Sequence, residues 1–257
     1  MKYIRFQTEV GPRWGTVEGG LVRVLEQPPY EALCYTGETV ALGSCRLLEP
    51  VEPTKIVCIG KNYYDHAVEM GEGVPEIPIL FLKGANVLCP PGGTITAPSF
   101  VTRVDYEGEL GVVIRKRAKA VREEEALDYV LGYTCFNDVT ARIIQKSDGQ
   151  WTRGKSMDGF GPCGPWITDE VDPSALDVTT RLNGQVVQHS NTDRLMHSVP
   201  RLIAFITASM TLEPGDLIAT GTPAGIGPMY DGDQVEVEIE GIGTLKNNVV
   251  LPQLPRA

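Results

Sequence analysis

The 257-residue sequence predicts a β-rich α+β fold, in which a rolled or barrel-like β domain with peripheral helices follows a small N-terminal β domain. Short apolar runs recur along most of the chain, 28 glycines and 19 prolines interrupt them, and helical periodicity is confined to a few short segments. Because the strands do not alternate regularly with long helices, a Rossmann or TIM-barrel arrangement is disfavoured.

The first 52 residues have the pattern of a separate small β domain. Strand patterns separated by glycine-containing turns are found at residues 3–6, 14–17 and 21–25. Residues 48–54 contain two prolines and no periodicity, and a buried-strand pattern begins directly behind them. We therefore expect a domain boundary near residue 52, with a larger domain over residues 53–257.

The larger region is also dominated by strand patterns. They lie at residues 55–59, 79–82, 105–115, 129–137, 178–182, 217–220 and 234–239. Asn183 and Gly184 predict a tight hairpin turn. The clearest helix begins near Ser198, a suitable N-cap before Pro200. Shorter helices are expected at residues 64–70, 123–127 and 139–146.

Charge and composition exclude several classes of function. Lys and Arg number 23 against 33 Asp and Glu, a formal charge of −10, whereas nucleic acids and anionic membranes attract clustered cations. The longest nearly apolar stretch, residues 202–212, is far short of the roughly 18–20 residues that cross a bilayer, and the N-terminus lacks the apolar block of a secretory signal. The six cysteines are widely spaced, without a C-x-x-C pair. We expect a cytoplasmic protein with reduced thiols and no nucleic-acid or membrane partner.

Residues 149–156 match the G-x-x-x-x-G-K-[ST] pattern of phosphate-binding loops. Such a loop follows a hydrophobic strand and opens a helix. Here polar residues precede the motif, and the glycines and prolines at residues 159–165 cannot form a helix behind it. The sequence therefore argues against nucleotide binding.

Residues 105–114 carry the most informative pattern. In a strand, residues i and i+2 point to the same face, so Glu107 and Glu109 project together. Two carboxylates on one face repel each other unless a cation or proton lies between them, although a solvated polar face is the simpler alternative. Asp138 ends the apolar strand at residues 129–137 and is either a helix N-cap or a third ligand.

Three oxygen ligands without clustered His or Cys suit a hard ion, Mg²⁺ or Mn²⁺, and make zinc a poor fit. Three carboxylates around a divalent ion leave a charge of about −1, so an anionic substrate needs further cations. Arg142 and Gln145 share one face of a predicted helix, and Lys155 follows in a glycine-rich segment.

His66 and Glu69 are three residues apart, so one helical turn brings the imidazole and the carboxylate together and prepares the ring for proton transfer. An exposed helical ion pair is the alternative. Residues 71–78, rich in Gly, Glu and Pro, predict a lid beside a site. The glycine-rich loop at residues 220–227 is either a tight turn or a backbone cradle for a carboxylate.

Together these motifs resemble the fumarylacetoacetate hydrolase family in its short form, which includes acylpyruvases, 2-hydroxyhepta-2,4-diene-1,7-dioate isomerases and oxaloacetate decarboxylases. The resemblance spans about residues 55–248. It rests on residues 60–70 (GKNYYDHAVEM), 105–114 (DYEGELGVVI), 136–145 (FNDVTARIIQ), 151–166 (WTRGKSMDGFGPCGPW) and 212–227 (LEPGDLIATGTPAGIG). It implies a β-rich roll around a metal, often behind a small N-terminal β domain, and a homodimer.

The resemblance also implies a set of site residues. The implied metal ligands are Glu107, Glu109 and Asp138. The implied catalytic residues, which activate water and stabilise charge or move a proton at the cleaved carbon, are His66, Glu69 and Lys155. The implied substrate-binding residues are Arg142, Gln145 and Thr222. Lys61 stands where some short members of the family carry arginine. Long members have a further aspartate that binds the metal, and Asp65 is its nearest counterpart here, although the spacing differs.

The expected reaction is divalent-metal-dependent hydrolysis of a C–C bond in a 2,4-dioxo acid through a metal-stabilised enolate, because the dyad and Lys155 are all present. Decarboxylation of oxaloacetate and isomerisation of 2-hydroxyhepta-2,4-diene-1,7-dioate use the same enolate and remain alternatives. The alternative from a different class of function is a catalytically inactive protein with the same fold that only binds a metabolite. The expected partners are a small 2-oxo acid as substrate, Mg²⁺ or Mn²⁺ as cofactor, and a second copy of the chain.

Overall fold

The computed structural model describes residues 1–69 and 75–252, and strands are its main regular element. The strands are β1 Lys2–Thr8, β2 Gly11–Glu18, β3 Leu21–Leu25, β4 Tyr35–Ala41, β5 Arg46–Leu48, β6 Ile56–Gly60, β7 Ile79–Lys83, β8 Leu88–Cys89, β9 Thr94–Thr96, β10 Val104–Tyr106, β11 Gly108–Ile114, β12 Val130–Asn137, β13 Thr140–Ala141, β14 Gly161–Thr168, β15 Asp177–Leu182, β16 Gln185–Asn191, β17 Leu217–Ala219, β18 Gly227–Met229, β19 Gln234–Ile239 and β20 Gly243–Val250. The α-helices are α1 Tyr64–Glu69, α2 Arg142–Ser147, α3 Thr152–Lys155 and α4 Val199–Ser209, and 3₁₀ helices lie at Leu42–Ser44, Ala85–Val87, Glu123–Tyr129 and Thr192–Arg194. The predicted β-rich class with few helices is confirmed, whereas closure into a roll or barrel stays a prediction.

The N-terminal strands form one end of a large sheet. β1 pairs with β2 and β5, and β3 and β4 continue the antiparallel order. β1 also pairs with β14, where Lys2 and Tyr3 lie opposite Thr168 and Ile167. The sheet is therefore continuous across the boundary predicted near residue 52, and the division into two domains stays a prediction.

The centre of this twelve-stranded sheet is buried on both faces. Its main path runs β4-β3-β2-β1-β14-β12-β11-β17-β6-β7, with β5 and β8 pairing at its side. Leu110, Val112 and Ile114 of β11 belong to one apolar cluster with residues of α4 and β19, and Val113 belongs to another cluster on the opposite face. A strand covered on both sides has a continuous apolar sequence, which is the pattern seen here.

A second sheet and the longest helix complete the main core. The five-stranded sheet has the order β16-β15-β19-β20-β9. Its β15–β16 hairpin turns at Asn183 and Gly184, which both have positive φ, 53° and 79°, as the sequence predicts. α4 also begins as predicted, because the hydroxyl of Ser198 accepts a hydrogen bond from the backbone N–H of Arg201.

Two segments of the chain each contribute one strand to the large sheet and one strand to a third sheet, which has three strands. The strand predicted over residues 105–115 is interrupted at Glu107, so that β10 belongs to the sheet β13-β10-β18 and β11 to the large sheet. β12 and β13 divide in the same way around Asp138 and Val139. The backbone N–H of Asp138 donates to the carbonyl of Glu107 at 2.8 Å. The two acidic crossing points therefore lie side by side where the sheets meet.

Some predicted elements differ from the structure. The helix expected at residues 139–146 begins only at Arg142, because residues 140–141 form β13. The phosphate-loop-like motif at residues 149–156 follows a helix instead of a strand, which agrees with its rejection. Among the described residues, no helix is long and apolar enough to cross a membrane.

Candidate metal centre and active site

A cavity of about 340 Å³ opens where the sheets meet. This volume lies in the usual range for small-molecule sites. The three predicted metal ligands line it, together with His66, Lys155 and the three predicted substrate-binding residues. Glu69 lies behind His66, outside the lining. The sequence therefore predicted residues that the fold brings together.

Glu107, Glu109 and Asp138 form a compact, buried cluster. Each offers one carboxylate oxygen, and these oxygens all lie within 4.8 Å of one another. Gly108, between the two glutamates, allows β11 to pack closely on β15, because a Cβ there would lie 2.1 Å from Oγ1 of Thr180. Three oxygen donors at this spacing could hold a hard divalent cation.

Glu107 is paired with two cations. Its Oε2 accepts a hydrogen bond from Nζ of Lys155 at 2.7 Å, and its Oε1 accepts from the guanidinium of Arg142 and, at 3.1 Å, from the hydroxyl of Thr140. Burial by itself raises the pKa of Glu107, but the charges of Lys155 and Arg142 outweigh it and hold this pKa below its usual value. Glu107 is therefore ionised.

Glu109 has a weaker set of partners. Within the described residues, its Oε2 accepts a hydrogen bond from the backbone N–H of Gly221 at 2.8 Å. Burial, followed by the nearby charges of Asp138 and Glu107, raises the pKa of Glu109 well above its usual value. A divalent cation among the three carboxylates would relieve this repulsion, so the donor set fits a metal ion.

Asp138 is held on both sides by lysines. Its Oδ2 accepts a hydrogen bond from Lys155 and its Oδ1 from Lys83, each at 2.6 Å. The fully buried ammonium of Lys83 also donates to the carbonyls of Val139 at 3.2 Å and Phe160 at 2.6 Å. These three acceptors match the three N–H bonds of the ammonium. Lys83 therefore fixes the orientation of the Asp138 carboxylate.

Lys155 bridges two of the carboxylates at the cavity wall. Burial lowers the pKa of its ammonium, but Asp138 and Glu107 outweigh burial, and the net shift is upward. Lys155 therefore provides a fixed positive charge.

Arg142 is held by a second buried network. Its Nε donates to Oδ2 of Asp105 at 2.9 Å, and its other nitrogens donate to Glu107 and, at 3.4 Å, to Gln145. Asp105 is fully buried and also accepts from Nε of Arg103 at 2.8 Å. The guanidinium is thus oriented before any ligand enters the cavity.

The predicted dyad is formed on α1. Nδ1 of His66 lies 3.2 Å from Oε2 of Glu69. Both oxygens of Glu69 accept from the backbone N–H of Gly225, at 3.1 and 3.2 Å. His66 is buried and lines the cavity while Glu69 is exposed, so only the carboxylate half of the pair matches an exposed helical ion pair.

The loop after β17 is tied to both sides of the site. The hydroxyl of Thr222 donates to the carbonyl of Gly108 at 3.0 Å and accepts from Nε2 of Gln188 at 2.8 Å. Nδ2 of the fully buried Asn62 donates to the carbonyl of Thr220 at 2.8 Å. These bonds fix the backbone that presents Gly221 to Glu109.

Two residues left unassigned by the sequence have different positions. Lys61 lines the cavity and has a φ of 55°, a left-handed conformation that is uncommon for a lysine and concentrates at functional sites. Asp65 is exposed on α1 and is not part of the carboxylate cluster. Of the predicted lid at residues 71–78, residues 71–74 lie outside the described residues.

Sequence reasoning missed Lys83, Asp105 and Asn62. Lys83 ends the apolar sequence of β7, and a charge at the end of an apolar strand sequence was the same signal that identified Asp138. Asp105 continues the i, i+2 series of Glu107 and Glu109 by one further step. Both residues could have been found in this way, whereas no local pattern distinguishes Asn62.

Comparison with known families decides the classification. Residues 55–250 match the family described as fumarylacetoacetate (FAA) hydrolase, C-terminal, and residues 1–50 match Rv2993c-like, N-terminal. The chain belongs to the fumarylacetoacetate hydrolase family. The resemblance inferred from the motifs is thereby confirmed.

Similar members of the fumarylacetoacetate hydrolase family include named isomerases and a tautomerase. Oxaloacetate tautomerase YisK of Bacillus subtilis is 41% identical over 224 residues, 81% of this chain and 74% of that protein. The structure of 5-carboxymethyl-2-hydroxymuconate delta-isomerase from Mycobacterium smegmatis has a TM-score of 0.92 and 41% identity, covering 98% of this chain and 100% of that one. For 2-hydroxyhepta-2,4-diene-1,7-dioate isomerase from Mycobacterium marinum, the TM-score is 0.91 and the identity 43%, with 98% of each chain covered.

Proposed function

We propose that the protein is a divalent-metal-dependent isomerase or tautomerase of 2-oxo acids, which moves a proton between the enol oxygen and a carbon conjugated with the keto group, namely C3 in a simple 2-oxo acid and C3 or C5 in a 2-hydroxy-2,4-diene. The observation that carries this proposal is one cavity that joins three buried carboxylates to a histidine oriented by Glu69. The names of three similar proteins support the reaction type. Glu107, Glu109 and Asp138 would hold Mg²⁺ or Mn²⁺, which supplies Lewis-acid polarisation of the substrate's carboxylate and keto oxygens.

The charge of the site fits an anionic substrate. The three candidate ligands and Asp105 are four buried carboxylates, and they face three buried cations, Lys83, Arg142 and Lys155. When all are ionised, a divalent ion changes the net charge of this cluster from one negative to one positive. Lys146 adds a positive charge to the cavity lining. A substrate with one or two carboxylates would complete the neutralisation.

His66 is the residue that we propose for proton transfer. Because its Nδ1 contacts Glu69, Nε2 is the ring nitrogen that exchanges a proton with the substrate carbon. Glu69, held by the N–H of Gly225, fixes the ring and balances the charge that it acquires. The fixed charge of Lys155 stabilises negative charge that develops on the substrate. Arg142, which lines the same cavity as Gln145 and Thr222, binds a substrate carboxylate.

Hydrolysis of a C–C bond in a 2,4-dioxo acid, the reaction that the sequence put first, is the second candidate. Its supporting observation is that the Glu69 side chain is 34% exposed, so water reaches the dyad. His66 would then take a proton from the attacking water.

The test is an assay of purified protein with Mg²⁺, Mn²⁺ or EDTA on enol-oxaloacetate, 2-hydroxyhepta-2,4-diene-1,7-dioate and acetylpyruvate. Loss of the enol or diene absorbance, with the carbon skeleton unchanged by mass spectrometry, supports the isomerase. Release of acetate and pyruvate supports the hydrolase instead, and CO₂ from oxaloacetate supports a decarboxylase. Metal binding without turnover of any of them would indicate a silent binding protein.

We also propose a homodimer, on the family resemblance alone. Light scattering in solution should then give twice the chain mass of 28.0 kDa. All six cysteines are free thiols in the structure, and the cytoplasmic location stays a prediction from composition.

A further inference from the structure

The cavity has two chemically different sides. The carboxylate cluster and its cations form one side. Ile59, Gly60, Phe81 and Trp151 contribute apolar surface to the same cavity. The proposed proton transfer uses the charged side and leaves this apolar surface without a role.

Phe81 and Trp151 form one aromatic wall. Their ring centroids are 5.1 Å apart and the ring planes meet at 72°, an edge-to-face contact. Nζ of Lys155 lies 5.1 Å from the centroid of the Phe81 ring. The wall therefore begins beside the ammonium that we propose stabilises negative charge on the substrate.

Gly60 gives the wall its position. A Cβ at Gly60 would lie 2.7 Å from Cζ3 and 2.8 Å from Cη2 of Trp151. The six-membered ring of the indole thus packs directly on the backbone at the end of β6. Another residue at position 60 would force the indole to move.

We infer that Trp151, packed on Gly60 and Phe81, is a specificity-determining residue that selects 2-oxo acids with a flat, unsaturated group beyond the keto carbon. A planar π system stacks on an aromatic face or meets its edge, whereas a tetrahedral group of similar size makes fewer such contacts. This inference rests on the proposed 2-oxo acid chemistry and adds the class of side chain that the substrate carries.

The test uses two probes that have no hydrogen on C3 and cannot undergo the proposed reaction. Benzoylformate carries a flat ring on the keto carbon, and trimethylpyruvate carries a bulky tetrahedral group. Calorimetry on the Mg²⁺-loaded protein should give about tenfold tighter binding of benzoylformate. If neither probe binds, the proposed 2-oxo acid substrate class is overturned. If both probes bind with equal affinity, the substrate class stands and the inference about Trp151 is overturned.

Variants test whether Trp151 causes the preference for benzoylformate over trimethylpyruvate. Trp151→Ala should reduce the ratio of the two affinities to near one, and Trp151→Phe should retain most of it. Gly60→Ala, which displaces the indole and leaves it in the chain, should also reduce the ratio. Trp166→Phe is the matched control, because this indole bonds the carbonyl of Ile242 away from the cavity. An unchanged ratio in folded Trp151→Ala and Gly60→Ala would overturn the inference.

Turnover gives a second readout. Trp151→Ala should lower kcat/KM for 2-hydroxyhepta-2,4-diene-1,7-dioate, whose flat group extends to C5, about tenfold and mainly through KM. It should change kcat/KM for enol-oxaloacetate, whose flat group ends at C4, less than about threefold. Equal losses on the two substrates would assign Trp151 a structural role and contradict the inference.

Discussion

Replacement of Lys83 by methionine tests the buried charge arrangement behind the site. Methionine keeps much of the length of the side chain and removes the ammonium that bonds Asp138, Val139 and Phe160. Removing one partner of a buried ion pair costs about 3–5 kcal/mol. Because Asp138 keeps Lys155 on its other oxygen, we expect the lower end, a loss of about 3 kcal/mol in the free energy of unfolding.

For a chain of this size, that loss corresponds to a fall in Tm of about 6–12 °C. The assay is thermal unfolding followed by circular dichroism in EDTA, with Lys119→Met as the control because Lys119 is an exposed lysine. The double variant Lys83→Met/Asp138→Asn should melt no lower than Lys83→Met, because the Asp138 side chain that has lost Lys83 is then uncharged. A Tm of Lys83→Met within about 2 °C of the wild type would refute this reasoning.

Three further predictions concern the metal, the dyad and the glycine between the two glutamates. Glu109→Gln should weaken Mg²⁺ binding at least tenfold in calorimetry, and an unchanged Mg²⁺ affinity of this variant would contradict the proposed metal site. In the wild type, Mg²⁺ at about 100 times its Kd should raise the free energy of unfolding by about 2.7 kcal/mol, and EDTA should reverse this increase. His66→Ala should lower kcat by roughly 10²–10⁴-fold with Mg²⁺ affinity near wild type, while His189→Ala, an exposed histidine, keeps its activity. Gly108→Ala should destabilise the fold by about 1–3 kcal/mol in urea unfolding, and Thr180→Gly should recover part of that loss by removing the clashing hydroxyl.

The sequence predicted elements whose signals are local. Ser198 before a proline predicted the start of α4, and Asn183-Gly184 predicted a hairpin, because cap and turn preferences act within a few residues. The break at Glu107 in the strand expected over residues 105–115 was not predicted, because the strand pattern of the sequence continues across this residue. The pattern does not reveal that the residues before and after Glu107 pair with different sheets. Pairing partners are fixed by contacts between distant parts of the chain.

The same distinction applies to the site. Glu107 and Glu109 were found because they are two residues apart in one predicted strand, and His66 and Glu69 because they share a helical turn. The contact between Lys83 and Asp138 joins residues 55 positions apart. No spacing rule covers such a pair, and only the three-dimensional arrangement shows that these charges neutralise each other.

The crossing of two strand pairs at Glu107 and Asp138 has a consequence for folding kinetics. The cation-binding oxygens come together only after the large sheet and the three-stranded sheet are both formed and joined. Partly folded chains with a single sheet therefore have no complete site for the ion. An ion that binds only the finished junction slows unfolding and leaves the folding rate nearly unchanged, because its contacts are absent from the transition state. Metal loading would then lengthen the lifetime of the native state and would not help the chain to reach it.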